Sequence, residues 1–114
     1  MHDPVSPVEP RPAATAVLMR DADGEPEVLL LKRHRSSGFV PGAYVFPGGR
    51  VDAGDERVSW PDSNSSVVPA QYWVAAIREI FEETGILLAR SRTGAWVRDA
   101  SSDPELEAWR ERLM

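Results

Sequence analysis

The 114 residues are room for one domain with a hydrophobic core of its own, and 42% hydrophobic against 27% charged residues mark a globular chain rather than a disordered tail. The absence of cysteine excludes disulfides, zinc–thiolate sites and thiol nucleophiles. A net charge of −5 supplies no basic field for nucleic acid, and the longest apolar run, Tyr72 to Ile77, is far too short to span a membrane.

No apolar stretch follows a basic start, so a cytoplasmic protein without a membrane partner is expected. Four prolines within residues 1–12 (Pro4, Pro7, Pro10, Pro12) predict an extended, poorly ordered leader. The apolar runs Ala14 to Arg20 and Glu27 to Lys32 flank Asp21-Ala22-Asp23-Gly24, residues that tolerate positive φ. Together they predict a hairpin, and their nearly continuous apolar character predicts burial on both faces.

A Gly/Pro-rich stretch runs from Gly38 to Gly54, and within it Tyr44-Val45-Phe46 reads as a short strand ending at Pro47. Residues 57–69 are polar and Ser-rich, as in a surface insertion. Pro69 to Thr84 then reads as a helix, with Pro69 in its first turn and Gly85 at the left-handed C′ position. Its apolar residues recur every three or four positions, and Trp73, Ile77 and Phe81 are expected to pack it on the sheet. Asp103 as N-cap and Pro104 at N1 open a second helix with Leu106, Trp109 and Leu113 on one face.

The chemistry is concentrated in Arg78-Glu79-Ile80-Phe81-Glu82-Glu83-Thr84-Gly85-Ile86. On a helix Glu79, Glu82 and Glu83 stand at i, i+3 and i+4, with Cβ atoms about 6 Å apart on one face. Three like charges so placed repel unless a cation sits among them, and hard oxygen donors of this kind suit Mg²⁺ or Mn²⁺. The alternative is a solvated acidic face.

Joined to Gly48-Gly49-Arg50-Val51-Asp52-Ala53-Gly54-Asp55, this segment resembles the Nudix box, G-x5-E-x7-R-E-U-x-E-E-x-G-U with U a bulky aliphatic residue. The downstream half is filled without an error, a match expected by chance about once in 10⁵. Upstream, Asp55 stands where the signature has Glu, with Glu56 beside it. In place of seven residues, 22 separate Asp55 from Arg78, and the 15 extra fall in the Ser-rich insertion. A box split in this way, with Leu29 to Arg33 and Phe39 to Gly49 before it, resembles the coenzyme A diphosphatase branch of the superfamily over roughly residues 13–90.

The resemblance implies an α/β fold, a Nudix-type α/β/α sandwich with a mixed sheet. It also implies hydrolysis of a nucleoside diphosphate linked to a second moiety, with coenzyme A or an acyl-CoA as the best substrate. ADP-ribose, a dinucleotide or an NTP is the first alternative, and a catalytically silent binding chain the second. Glu79, Glu82 and Glu83 would hold Mg²⁺ or Mn²⁺, with catalytic roles for Glu79, Glu82 and Arg78. Arg78 would orient a carboxylate, with Asp55 or Glu56 as partner.

Arg33 and Arg35 are candidates for phosphate contact, beside the plainer reading of a solvated basic cluster. Gly48 and Gly49 are placed at the substrate and would let the loop fold tightly against the helix. Phe39 and Tyr44 could stack on a base, though core packing is the simpler expectation. The partners implied are a nucleotide-type small molecule and, as an allowed arrangement, a second copy in a homodimer. Because the box ends at Ile86 with 28 residues remaining, residues 13–114 are expected to be the N-terminal part of a sandwich incomplete at its C-terminus.

Overall fold

Helix α2, Ala70–Thr84, is the element against which Ala13–Thr15, Gly48–Arg50, Ala53–Glu56 and Pro104–Leu113 pack. The computed structural model describes residues 7–33, 42–59, 67–97 and 103–114, and all that follows concerns these. The helix begins after Pro69, whose extended backbone turns the chain into the first turn. It ends at Gly85, where φ is 78° and the amide donates to the Phe81 carbonyl at 2.9 Å. A side chain is disfavoured at that backbone conformation, so the sequence stops the helix where the C′ signal predicted. Thr84 reinforces the end, its hydroxyl donating to the Ile80 carbonyl at 2.6 Å and accepting from the Ile86 amide at 3.1 Å.

One face of α2 packs on a two-stranded ribbon formed by β1, Ala13–Thr15, and β6, Gly48–Arg50. The strands are antiparallel with Ala14 opposite Gly49, and the ladder is extended at both ends by Ala16 N–H to Pro47 O and Val51 N–H to Pro12 O, each 2.9 Å. At Gly48 the backbones approach so closely that a Cβ would strike the Ala14 carbonyl and the Thr15 Cα, which is why this position holds glycine. Ala75, Ile80 and Phe81 form the buried core, with Pro47 fully enclosed. Ile80 and Phe81 each contribute roughly 1.5–3 kcal/mol through burial.

Two further ribbons complete the strands. The first joins β2, Met19–Ala22, to β3, Glu25–Val28, through Asp23 (φ 51°) and Gly24 (φ 86°), the two-residue turn that suits the twist of a hairpin. The second pairs β4, Leu31–Lys32, with β5, Tyr44–Val45. Among the described residues all strand pairs are antiparallel, in three two-stranded ribbons set with helices in an α/β arrangement. A single helical turn, α1, Ala53–Glu56, follows β6 and packs on α2. Helix α3, Pro104–Leu113, is capped by Asp103, whose carboxylate accepts from the Glu105 and Leu106 amides. No described helix is long and apolar enough to cross a membrane.

Three packing expectations are corrected. The hairpin is not buried on both faces: Val17, Met19, Val28 and Leu30 are exposed, because no described element covers the ribbon on that side. Trp73 is 47% exposed rather than core, and the burial on α2 falls instead to Ala75, Ile80 and Phe81. Tyr44 is 65% exposed, with the Lys32 ammonium 5.8 Å from its ring centre across the β4–β5 pair. Phe39, His34 and Trp60 lie outside the described residues.

Candidate functional site

The loop from β6 through α1 lies against α2 at Arg78, and the meeting is made by charge. Asp55 is 3% exposed, and its carboxylate accepts two hydrogen bonds from the Arg78 guanidinium, Nε to Oδ1 at 2.8 Å and Nη2 to Oδ2 at 3.0 Å. Its Oδ2 also accepts from the Asp52 amide at 2.7 Å, which closes the turn that α1 begins. Burial alone would push the Asp55 carboxyl up. The Arg78 hydrogen bonds, the Asp52 amide and the Arg78 charge outweigh it, so Asp55 titrates below the ordinary carboxylate range. The same bidentate bond drives the Arg78 guanidinium further above its already high value. Of the two partners open to Arg78 in the sequence, the structure selects Asp55.

Arg78 has donors left over and uses them. Nη2 also donates to the Arg50 carbonyl at 2.9 Å and stands 3.4 Å from an Asp52 oxygen. Nη1 bridges Glu79 Oε1 at 3.1 Å and Glu82 Oε1 at 3.0 Å. One planar cation thus ties the β6–α1 loop to two carboxylates of the helix, across the 22 residues that separate Asp55 from Arg78.

Glu83 leans the other way. Its carboxyl lies close enough to Glu79 and to the Gly48 amide for both to act on its titration, Glu79 raising it and the Gly48 amide lowering it. Burial is the main reason the Glu79 and Glu83 carboxyls are both held above the ordinary range, and neighbouring carboxylates add to it, Glu82 and Asp52 for Glu79, Glu79 and Glu82 for Glu83. Gly49 provides the room: a Cβ there would overlap the Glu79 carboxylate. The two glycines therefore shape the wall of the acidic face, Gly48 against β1 and Gly49 against Glu79.

Two neighbouring carboxyls, built only from oxygen, make a donor set that a hard divalent cation fits, because its charge would remove the repulsion that helps to raise both. As placed, the three glutamates do not close into one cage. Glu79 and Glu82 share Arg78, and among the described residues no group of three or more acidic or histidine side chains converges as a metal site.

Of the basic candidates, Arg33 follows β4, half-buried, its amide donating to the Ala43 carbonyl at 2.8 Å. Arg35 lies outside the described residues. Two participants went unforeseen. Asp52 carries no signal beyond its place three residues before Asp55. Arg110 of α3 donates through Nε to the Glu82 carbonyl at 2.9 Å, and a contact spanning 28 residues leaves no periodicity to detect.

Comparison with known proteins gives a consistent set of relatives. An acyl-coenzyme A diphosphatase of Xenopus laevis is 36% identical over 95 residues, covering 54% of this chain and 25% of its own. The acyl-coenzyme A diphosphatase of Homo sapiens is 30% identical over a 129-position alignment, covering 75% of this chain and 34% of its own. The crystal structure of a NUDIX hydrolase from Alicyclobacillus acidocaldarius superposes with a TM-score of 0.65 at 28% identity, over 91% of this chain and 55% of that one. No protein-family model matches. The chain spans a quarter to a third of the length of these curated relatives.

Proposed function

The chain belongs to the Nudix hydrolase superfamily, and we propose that it carries the metal-dependent half of a diphosphatase site, cleaving a nucleoside diphosphate linked to a second moiety. The observation that carries this reading is the Arg78 bridge. It joins Asp55, from the upstream half of the split box, to Glu79 and Glu82 of the downstream half. The two segments are therefore in contact despite the 22 residues between Asp55 and Arg78.

Glu79, Glu82 and Glu83 would hold Mg²⁺ or Mn²⁺. When bound, such an ion supplies neutralisation of the pyrophosphate charge and a more acidic water. The chain's own groups do the rest. Arg78 draws the carboxylates of Glu79 and Glu82 to one guanidinium nitrogen by their Oε1 atoms. Glu79, half-enclosed and held above the ordinary carboxyl range, is the group best suited to take a proton from water near neutral pH. Cleavage of a pyrophosphate then depends chiefly on positioning and charge neutralisation.

The favoured substrate is coenzyme A or an acyl-CoA, on the strength of the names carried by the relatives and of the split box. The products would be a phosphopantetheine and 3′,5′-ADP. A panel of acyl-CoA, ADP-ribose, a dinucleotide and an NTP, each with Mg²⁺ or Mn²⁺, is the test. Turnover of acyl-CoA that disappears in Glu82→Gln is expected. ADP-ribose turnover with acyl-CoA untouched would overturn the substrate, and equal rates in wild type and Glu82→Gln would overturn the site.

A further inference from the structure

We infer that Arg110 is a positioning residue for the acidic helix, acting as a clamp on the last turn of α2. A helix leaves its final carbonyls without partners inside the helix, and the last turn frays unless something else satisfies them. In α2 the Phe81 carbonyl takes the Gly85 amide, and the next one, at Glu82, takes the Arg110 guanidinium from α3. Glu82 and Glu83 stand in that same turn, so the contact fixes the backbone that carries two of the three glutamates.

The sign of the charge is also right. A cation at a helix C-terminus meets the negative end of the backbone dipole and is stabilised by it. Glu107, one turn earlier on α3, stands 3.5 Å from Arg110 in a partly exposed pair that contributes little to its placement.

The rest of α3 has little other work. Among the described elements it packs on α2 alone, and Trp109 and Leu113 remain about half exposed. Apolar burial is thus a weak reason for this helix to sit where it does, while the Arg110 contact reaches the functional helix directly. Helix α3 delivers a guanidinium to the end of α2 and so holds Glu82 and Glu83 in register with Glu79.

The inference rests on the reading of these glutamates as a divalent-cation site, and the experiment separates the two. The variants are Arg110→Ala, Arg110→Lys and, as a control for the stability of α3, Glu107→Ala, all in the full chain. Mn²⁺ binding is followed by paramagnetic resonance and amide hydrogen exchange of residues 83–86 by mass spectrometry. Arg110→Ala is expected to weaken Mn²⁺ binding about tenfold, and to speed exchange in the last turn of α2. Arg110→Lys should recover most of both, and Glu107→Ala should move neither by more than about twofold. Unchanged exchange and Mn²⁺ affinity in Arg110→Ala, or equal losses in Glu107→Ala, would overturn the clamp. If wild type binds no Mn²⁺, the cation-site reading falls while the exchange data still decide whether Arg110 holds the turn.

Discussion

Two arginine–carboxylate contacts in this molecule use the same chemistry and are worth very different amounts. Arg20 and Glu27 face each other across the β2–β3 hairpin at 2.7 Å, with side chains 77% and 50% exposed. Arg78 and Asp55 meet at 2.8 Å with side chains 14% and 3% exposed. Water screens and competes with the first pair, leaving about 0–1 kcal/mol. The second pair has given up most of its water, so each partner depends on the other. Distance alone does not rank them; the solvent around them does.

The largest expected effect follows from this dependence. Asp55→Asn removes the buried charge facing Arg78 and leaves its guanidinium with Glu79 and Glu82 on the helix side and only the exposed Asp52 on the loop side. A loss of about 3 kcal/mol in unfolding free energy is expected, measured by urea denaturation. A loss below about 1 kcal/mol would place Arg78–Asp55 in the same class as the surface pair.

The paired glycines give the next effect, and they differ in kind. A Cβ at Gly48 meets backbone of β1, which cannot move aside without parting the ribbon, so Gly48→Ala should cost about 1–3 kcal/mol. A Cβ at Gly49 meets only the end of the Glu79 side chain, which can swing away. Gly49→Ala should therefore keep most of the stability and lose Mn²⁺ affinity, because the displaced carboxylate no longer meets Glu83. Equal losses of stability in the two variants would contradict this division.

Much of this region was legible in the sequence because its signals are local. Gly85 stops α2, Asp103 and Pro104 start α3, and the three-and-four spacing of the glutamates sets their common face; each depends on residues a turn or two apart. The split box also named Arg78 and narrowed its partner to two adjacent residues. What could not be read depends on distant segments. The pairing of Ala13–Thr15 with Gly48–Arg50 joins strands more than 30 residues apart, and it sets the surface on which one face of α2 packs. Apolar composition suggested a buried hairpin, but burial requires a second surface, and none among the described residues covers β2 and β3. Arg110 escaped notice because an arginine on an amphipathic helix carries no mark of what it will reach.

Acidification should separate the two kinds of carboxyl on α2 and its loop. Asp55 is held below the ordinary range, so its stabilisation is present above the unfolded pKa and is lost as pH falls through the folded one. Glu79 and Glu83 are held above it, so they cost stability when ionised, and that cost is relieved as pH falls from neutral towards their folded values. Without metal, the melting temperature should rise on mild acidification and then fall through the lower range as Asp55 protonates. Glu79→Gln mimics the neutral form and keeps an acceptor for Arg78, so it should raise stability at neutral pH by about 1 kcal/mol and flatten the initial rise. A monotonic fall from neutral pH in wild type would show that the paired carboxyls are not strained.

The smallest effect belongs to the surface pair, and its smallness is the point. Glu27→Gln keeps an acceptor opposite Arg20 and removes only the charge. With both side chains at least half in water, the change in unfolding free energy should stay within about 0.5 kcal/mol and vanish at high salt, where exposed charges are screened. The hairpin does not need the pair for its register, since Asp23 and Gly24 set the turn and the Asp21 carboxylate accepts from the Gly24 amide at 2.8 Å. A Glu27→Gln loss comparable with that of Asp55→Asn would mean that the hairpin is covered in solution by something that excludes water from Arg20, and the exposed Met19 and Val28 beside it would be the surface to probe by crosslinking.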